Sequence, residues 1–163
     1  MSKKTLFLLI VVTTFVAILF SSPAPSFTIE TMQGDVVRSE DLLAKGPIYL
    51  DFWSTSCEPC LRKLPHVSSW VSKYPEMSFF AISTDSPRQR DGVVRHVRSS
   101  RYQFTTGIDS SRNLQRLFNV SLIPRTIIIN QAGEIVYDNQ GYNPGDEVEL
   151  ENFIISVIRE EGH

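Results

Sequence analysis

The only two cysteines of the 163-residue chain, Cys57 and Cys60, stand three positions apart in the stretch DFWSTSCEPC, Asp51 to Cys60. Before them lies the short apolar run Ile48 to Trp53, which reads as a strand. After them Leu61, Leu64, Val67, Val71 and Tyr74 recur at three- and four-residue spacing, which reads as an amphipathic helix with Pro65 expected to kink it. The pair therefore falls where a strand feeds a helix N-terminus. Cysteines at i and i+3 face the same side of a first helical turn, close enough to bridge. The first of them sits where unpaired backbone N–H groups and the helix dipole stabilise a thiolate. Cys57 is thus read as the attacking thiol and Cys60, one turn deeper, as the resolving thiol. Pro59 fits an early helical position, where its missing N–H is not needed.

Three other uses of the pair explain less. A purely structural disulfide would close a tiny loop and constrain little of the unfolded chain. A metal site would have to recruit His66 or His96, because no second cysteine pair exists to complete it. Two inert core cysteines would explain neither the spacing nor the intervening Glu58 and Pro59. Reversible dithiol chemistry remains, with the Cys57–Cys60 disulfide as its own redox group and no cofactor or metal expected.

Around this junction the chain reads as one α/β domain. FTIETMQGDVVRSEDLL suggests a hairpin turning at Gln33-Gly34-Asp35. MSFFAIST is a second buried strand, and Asp85-Ser86-Pro87 starts a helix that carries Val93, Val94 and Val97 to about Ser100. Residues 110–118 read as a short helix, RTIIIN and EIVYD as hairpin strands about the turn QAG, and Val148 to Ile158 as a closing helix. The net charge of −2 gives no global field for nucleic acid. Arg88, Arg90, Arg95, Arg98 and Arg101 crowd one helix and read as a solvated face.

At the start, a basic segment, an apolar run from Leu6 to Phe20 and then small residues and prolines lay out an export signal. Residues 1–22 are a signal peptide or N-terminal membrane anchor, 23–26 a linker and 27–163 the domain. The run is short of the roughly 20 residues of a full span. Pro25 would directly follow a cut after Ser22-Pro23-Ala24, which favours a retained anchor through residues 5–20. The domain is expected outside the cytoplasm, in a periplasm or on the outer face of the membrane.

DFW before the cysteines, Pro65 five residues after the second, and LIPRT far downstream together resemble thioredoxin-fold thiol–disulfide oxidoreductases. The N-terminal hairpin, the inserted helix at about 87–100, the CEPC dipeptide choice and the apolar leader resemble the exported, membrane-anchored TlpA/ResA-like branch. The resemblance spans about Phe27 to Ile158. It implies a central mixed β-sheet flanked by helices, with the hairpin and the inserted helix added. It also implies that Pro124 is cis and lies against the cysteines. Ile123 would then offer backbone hydrogen bonds to an extended substrate segment. Asp51 matches the buried acid that relays a proton for the second cysteine. A carboxylate inside an apolar strand asks for such an explanation, since burial raises its pKa. Trp53 is a core residue that also flanks the thiols on the substrate-binding side. The chain departs from its relatives at Ser56, where thioredoxins have Trp, at Lys63, where the ResA-like branch has Glu, and at Asp51, where that branch often has Asn.

The expected function is that of an exported thiol–disulfide oxidoreductase that reduces protein disulfides and is recharged by an upstream membrane thiol reductant. A monomer is expected, touching the membrane only through its N-terminal segment. FAISTDS raises a peroxiredoxin-like peroxidase as a rival, but Leu50 and Ser54 replace the proline and threonine of the peroxidase frame. A non-catalytic exported thioredoxin-fold binding domain is the other. Tuning of the thiols is expected from Glu58, adjacent in sequence, more than from Lys63, read as a flexible, hydrated side chain.

Overall fold

The computed structural model describes residues 22–161, where the chain runs β1 (Ser22–Pro23), β2 (Thr28–Glu30), β3 (Val36–Arg38), α1 (Ser39–Leu43), β4 (Ile48–Trp53), α2 (Glu58–Lys73), β5 (Ser78–Ser83), a 3-10 turn (Pro87–Gln89), α3 (Arg90–Ser100), β6 (Thr105–Ile108), α4 (Asn113–Leu117), β7 (Arg125–Ile129), β8 (Glu134–Gln140) and α5 (Asp146–Glu161). β4 is buried at all six positions, as a continuous apolar run should be in a strand covered on both faces. It is a central strand of a six-stranded mixed sheet ordered β1-β8-β7-β4-β5-β6. β5 lies parallel to it and β7 antiparallel.

Alternation along the strands sends their side chains into two cores. Tyr49, Trp53, Ala81 and Ile128 pack beneath α2, α3 and α5 with Leu64, Val67, Trp70, Val93, Val97, Leu150, Ile154 and Val157. Leu50, Phe52, Phe80, Ile82, Ile127 and Ile129 face the other way, against Phe27, Ile29, Leu42, Leu114 and Phe118. Each fully buried Leu, Ile or Phe contributes about 1.5–3 kcal/mol, so both layers hold β4 firmly. Helix α2 buries Cys60, Lys63, Leu64, Val67 and Trp70. Pro65 lies on its exposed side, and the helix continues past it to Lys73.

The expected hairpin is β2 with β3, registered Thr28 to Arg38, and it turns at Gly34, whose φ of +94° favours glycine. It packs over the sheet edge at Gly107, where a Cβ would come within 2.6 Å of Ile82 Cδ1 and 2.7 Å of Ile29 Cγ2. The structure differs from the sequence reading in four places. Ser22 and Pro23, given to the leader and the linker, pair with Ile135 and Glu134 as an edge strand, and Ala24 N–H donates to the Gly133 carbonyl at 2.8 Å. Ser39–Leu43 is a short helix rather than the end of the hairpin; its acidic first turn, Glu40 and Asp41, suits a helix N-terminus. Thr105–Ile108, too short and polar to show a strand pattern, completes the sheet as β6. The helix expected over 110–118 forms only at Asn113–Leu117. The helix after β5 is capped by Ser86, with Gln89 closing a capping box. The leader, residues 1–21, falls outside the described residues; among the described ones no helix is long and apolar enough to cross a membrane.

Candidate active site

Where β4 ends, the chain turns through Ser54, Thr55 and Ser56 and enters α2 with Cys57 as its N-cap residue. Two sets of bonds shape this turn. Cys57 N–H donates to the Ser54 carbonyl at 3.1 Å. Asp85, almost wholly buried beyond the end of β5, accepts from Thr55 N–H at 3.0 Å, from Thr55 Oγ1 at 2.7 Å and from Ser83 Oγ at 2.9 Å. Its carboxylate therefore ties the cysteine loop to the neighbouring strand.

Cys57 and Cys60 are joined as a disulfide, with their Cα atoms 5.3 Å apart. Cys57 Sγ accepts the Cys60 N–H at 3.3 Å, so one of the orphan donors of the helix N-terminus points at this sulfur. The two sulfurs differ in access: Cys57 is half-buried and Cys60 has no exposed surface. Nucleophilic attack from outside can therefore reach Cys57. Glu58, between them, points into solvent and pairs with Arg62 at 2.5 Å.

Asp51 is completely buried, and Lys63 Nζ lies 2.7 Å from its Oδ1. The same ammonium donates to Thr126 Oγ1 at 2.7 Å. Asp51 stands opposite Thr126 in the β4–β7 register, so two strands and one helix converge on this ion pair. Burial pushes the Asp51 carboxyl above its ordinary range, and the Lys63 ammonium works against that rise. Lys63 is thus not the hydrated, flexible side chain expected of it: only 1% of its side chain is exposed. Sequence spacing could not reveal this, because the partner comes from a strand twelve residues earlier.

Arg125 pairs with Phe52, which brings Pro124 level with Trp53 at the end of the sheet from which the cysteine loop departs. The Ile123–Pro124 peptide bond is cis. Pro124 is buried, and Ile123 is half-buried with no backbone hydrogen-bond partner among the described residues. Arg125 grips β8 through a two-pronged bond to Asp138, at 2.5 and 2.7 Å, and a further one to Gln140. Trp53 requires a correction. It has no exposed surface, and its indole packs 5.6 Å from the His96 ring, so it lines the core and offers nothing to a substrate.

Asp85 and Thr126 are the residues of this region that sequence reasoning missed. Asp85 had a signal, a carboxylate closing the buried strand FFAIS, but it was read as a helix start. The same contacts account for FAISTDS, whose Ser83 and Asp85 brace the cysteine loop.

The family model described as AhpC/TSA family matches residues 20–138. The chain is 31% identical over 118 residues to thiol-disulfide oxidoreductase ResA of Halalkalibacterium halodurans, covering 72% of this chain and 66% of that one. To ResA of Bacillus subtilis strain 168 it is 28% identical over 115 residues, covering 71% and 64%. It thus spans about two thirds of the length of these relatives. Among solved structures, a Chlorobium tepidum protein provisionally named thiol:disulfide interchange protein DsbE superposes with a TM-score of 0.76 at 25% identity, covering 84% of this chain and 96% of that one.

Proposed function

The chain belongs to the AhpC/TSA family and is a thioredoxin-fold thiol–disulfide oxidoreductase, and from that premise we propose that it works outside the cytoplasm as a reductant of protein disulfides. The observation that carries the mechanism is the asymmetry of the pair: a half-buried Cys57 Sγ receiving a helix N-terminal N–H, and a Cys60 sealed behind it. In the reduced protein the Cys57 thiolate attacks one sulfur of a substrate disulfide, forming a mixed disulfide and expelling the other sulfur as a thiolate. Cys60, deprotonated, then attacks Cys57 Sγ; the bond to substrate breaks, and the substrate's second thiol leaves. Two electrons pass to the substrate and the Cys57–Cys60 disulfide remains.

A substrate segment would lie along Ile123, whose unpaired backbone can accept an added strand beside the buried Pro124. Restoring the dithiol requires a thiol reductant, which for an exported protein must be reached at the membrane. The apolar run before Ser22 supports anchoring there. The peroxidase reading has less support, since Leu50 and Ser54 stand where its proline and threonine would be. An insulin-reduction assay tests the proposal. Wild type should precipitate insulin chains, Cys57→Ser should be inactive, and Cys60→Ser should accumulate a covalent complex with its substrate. Faster low-pH alkylation of Cys60 than of Cys57 would reverse the assigned roles. A reporter active only outside the cytoplasm, fused after residue 30, should be active and membrane-bound; its recovery in the soluble cytosol would remove the export argument.

A further inference from the structure

Four observations meet at one buried point on the Cys60 side of α2. Asp51 and Lys63 are both buried, and their charged atoms lie 2.7 Å apart. Lys63 is three residues beyond Cys60 on α2, so it shares that residue's side of the helix. Thr126 holds the ammonium from β7. Asp51 Oδ2 is buried with no hydrogen-bond donor among the described residues, which leaves a carboxylate oxygen to accept a proton. Two unpaired charges at these places would each carry a penalty of several kcal/mol, so the pair exists because each charge offsets the other.

Building on the dithiol reading above, we propose that Lys63 is a positioning residue for the resolving step: it holds Asp51 ionised and oriented as the proton acceptor for Cys60. In that step the Cys60 thiol gives its proton to the Asp51 carboxylate, and the resulting thiolate attacks Cys57 Sγ of the mixed disulfide. The sulfur–sulfur bond to substrate breaks, the departing thiolate keeps the electron pair, and the proton is returned through it to solvent. Lys63 touches neither sulfur in this scheme and acts through Asp51 alone. The other groups about the carboxylate cannot replace its charge. Tyr49 on β4 and Thr126 on β7 are neutral, Ala81 stands opposite on β5, and Tyr137 on β8 lies beyond Tyr49. From the helices, Leu64 of α2, Val93 and Val97 of α3, and Leu150 and Ile154 of α5 are apolar.

The reaction of the full-length reduced protein with 5,5′-dithiobis(2-nitrobenzoate) separates the two steps. Attack by Cys57 releases one nitrothiobenzoate, and resolution by Cys60 releases the second. Lys63→Met should leave the first release within about twofold of wild type. It should slow the second about tenfold at neutral pH and move its pH midpoint up by about one unit, one pKa unit being a tenfold change in carboxylate fraction below the midpoint. Lys63→Gln, which can still donate to Thr126, should behave like Lys63→Met if charge is what matters. Asp51→Asn should give a slow second release with a flattened pH profile, and Asp51→Asn with Lys63→Met should match it within about twofold. The double variant removes both charges and so should fold where a single one is unstable. Overturning results would be a full Lys63→Met effect in the Asp51→Asn background, wild-type behaviour of Lys63→Gln, or equal slowing of both releases. The assay needs no protein substrate, so a wild-type protein inactive on insulin but showing these coupled effects would refute the proposed function and not this inference.

Discussion

Two of the ion pairs that helix α2 makes, one on its solvent side and one on its core side, could hardly be placed more differently. On the solvent side Glu58 and Arg62 meet at 2.5 Å with side chains 83% and 45% exposed. On the core side Lys63 and Asp51 meet at 2.7 Å with 1% and 0% exposed. Glu58 is the nearer to both cysteines in sequence, yet water and salt screen its charge. Lys63 acts where the effective dielectric is low and no solvent intervenes. Judging by burial and not by sequence adjacency, we predict that Lys63 outweighs Glu58 at this dithiol, the opposite of the order expected from the sequence.

The sharpest way to break the comparison is to remove the buried cation. Lys63→Ala leaves Asp51 uncompensated in the core and should cost about 3–5 kcal/mol of stability in urea unfolding, most of it regained when Asp51→Asn is added. A loss below 1 kcal/mol would put the pair in the class of surface contacts. Next in size is Asp85→Ala, which leaves the Thr55 N–H and two hydroxyls without their acceptor. We expect a loss of about 1–3 kcal/mol together with slower insulin reduction, because the loop before Cys57 loosens. Unchanged turnover would confine Asp85 to folding.

The pH dependence of stability sharpens the comparison further. Asp51 has its folded pKa raised by burial, so between its unfolded and folded values the native state binds more protons than the unfolded one. Its contribution is present in acid and is lost as pH rises through the folded value. Lys63→Met lets burial act unopposed and moves that window upward. The stability of the variant relative to wild type should therefore fall as pH rises from about 4 toward neutrality, by no more than about 1.4 kcal/mol per pH unit. A flat difference would mean that the pair does not set the Asp51 proton affinity. The smallest effect belongs to Glu58→Gln. It should change stability by about 0–1 kcal/mol and the rate of Cys57 alkylation by less than about twofold, with even that difference fading in high salt.

What the sequence made legible follows the same division. The strand-to-helix junction that holds Cys57 and Cys60 and the hairpin rest on local signals, namely apolar period, helix-terminal geometry and turn residues, whereas the mixed sheet came with the resemblance. Even the placement of Pro124 needed only the order of elements, once a resemblance was in view. Lys63 was misread because a lysine is by default a solvated residue, and nothing local announces that the carboxylate on β4 and the hydroxyl on β7 will close around it. Asp85 went unassigned for a related reason: its partner Thr55 is 30 residues away. Trp53 lies in the core as its apolar strand implies; only the substrate-side role expected from its nearness to the cysteines fails, because the pleat of β4 turns it inward. β6 and the edge strand β1 were invisible because four and two residues carry no readable period, and both are held in place by their neighbours in the sheet.

The reduction potential of the Cys57–Cys60 couple tests the central claim most directly. Equilibrating the protein with dithiothreitol buffers of graded ratio at pH 7, and counting free thiols by alkylation, gives the value. A reductant of protein disulfides should equilibrate at about −270 mV, in the range of thioredoxin. A value near about −120 mV, that of a strong oxidant, would mean that the chain donates its disulfide instead of its electrons, and would contradict the account.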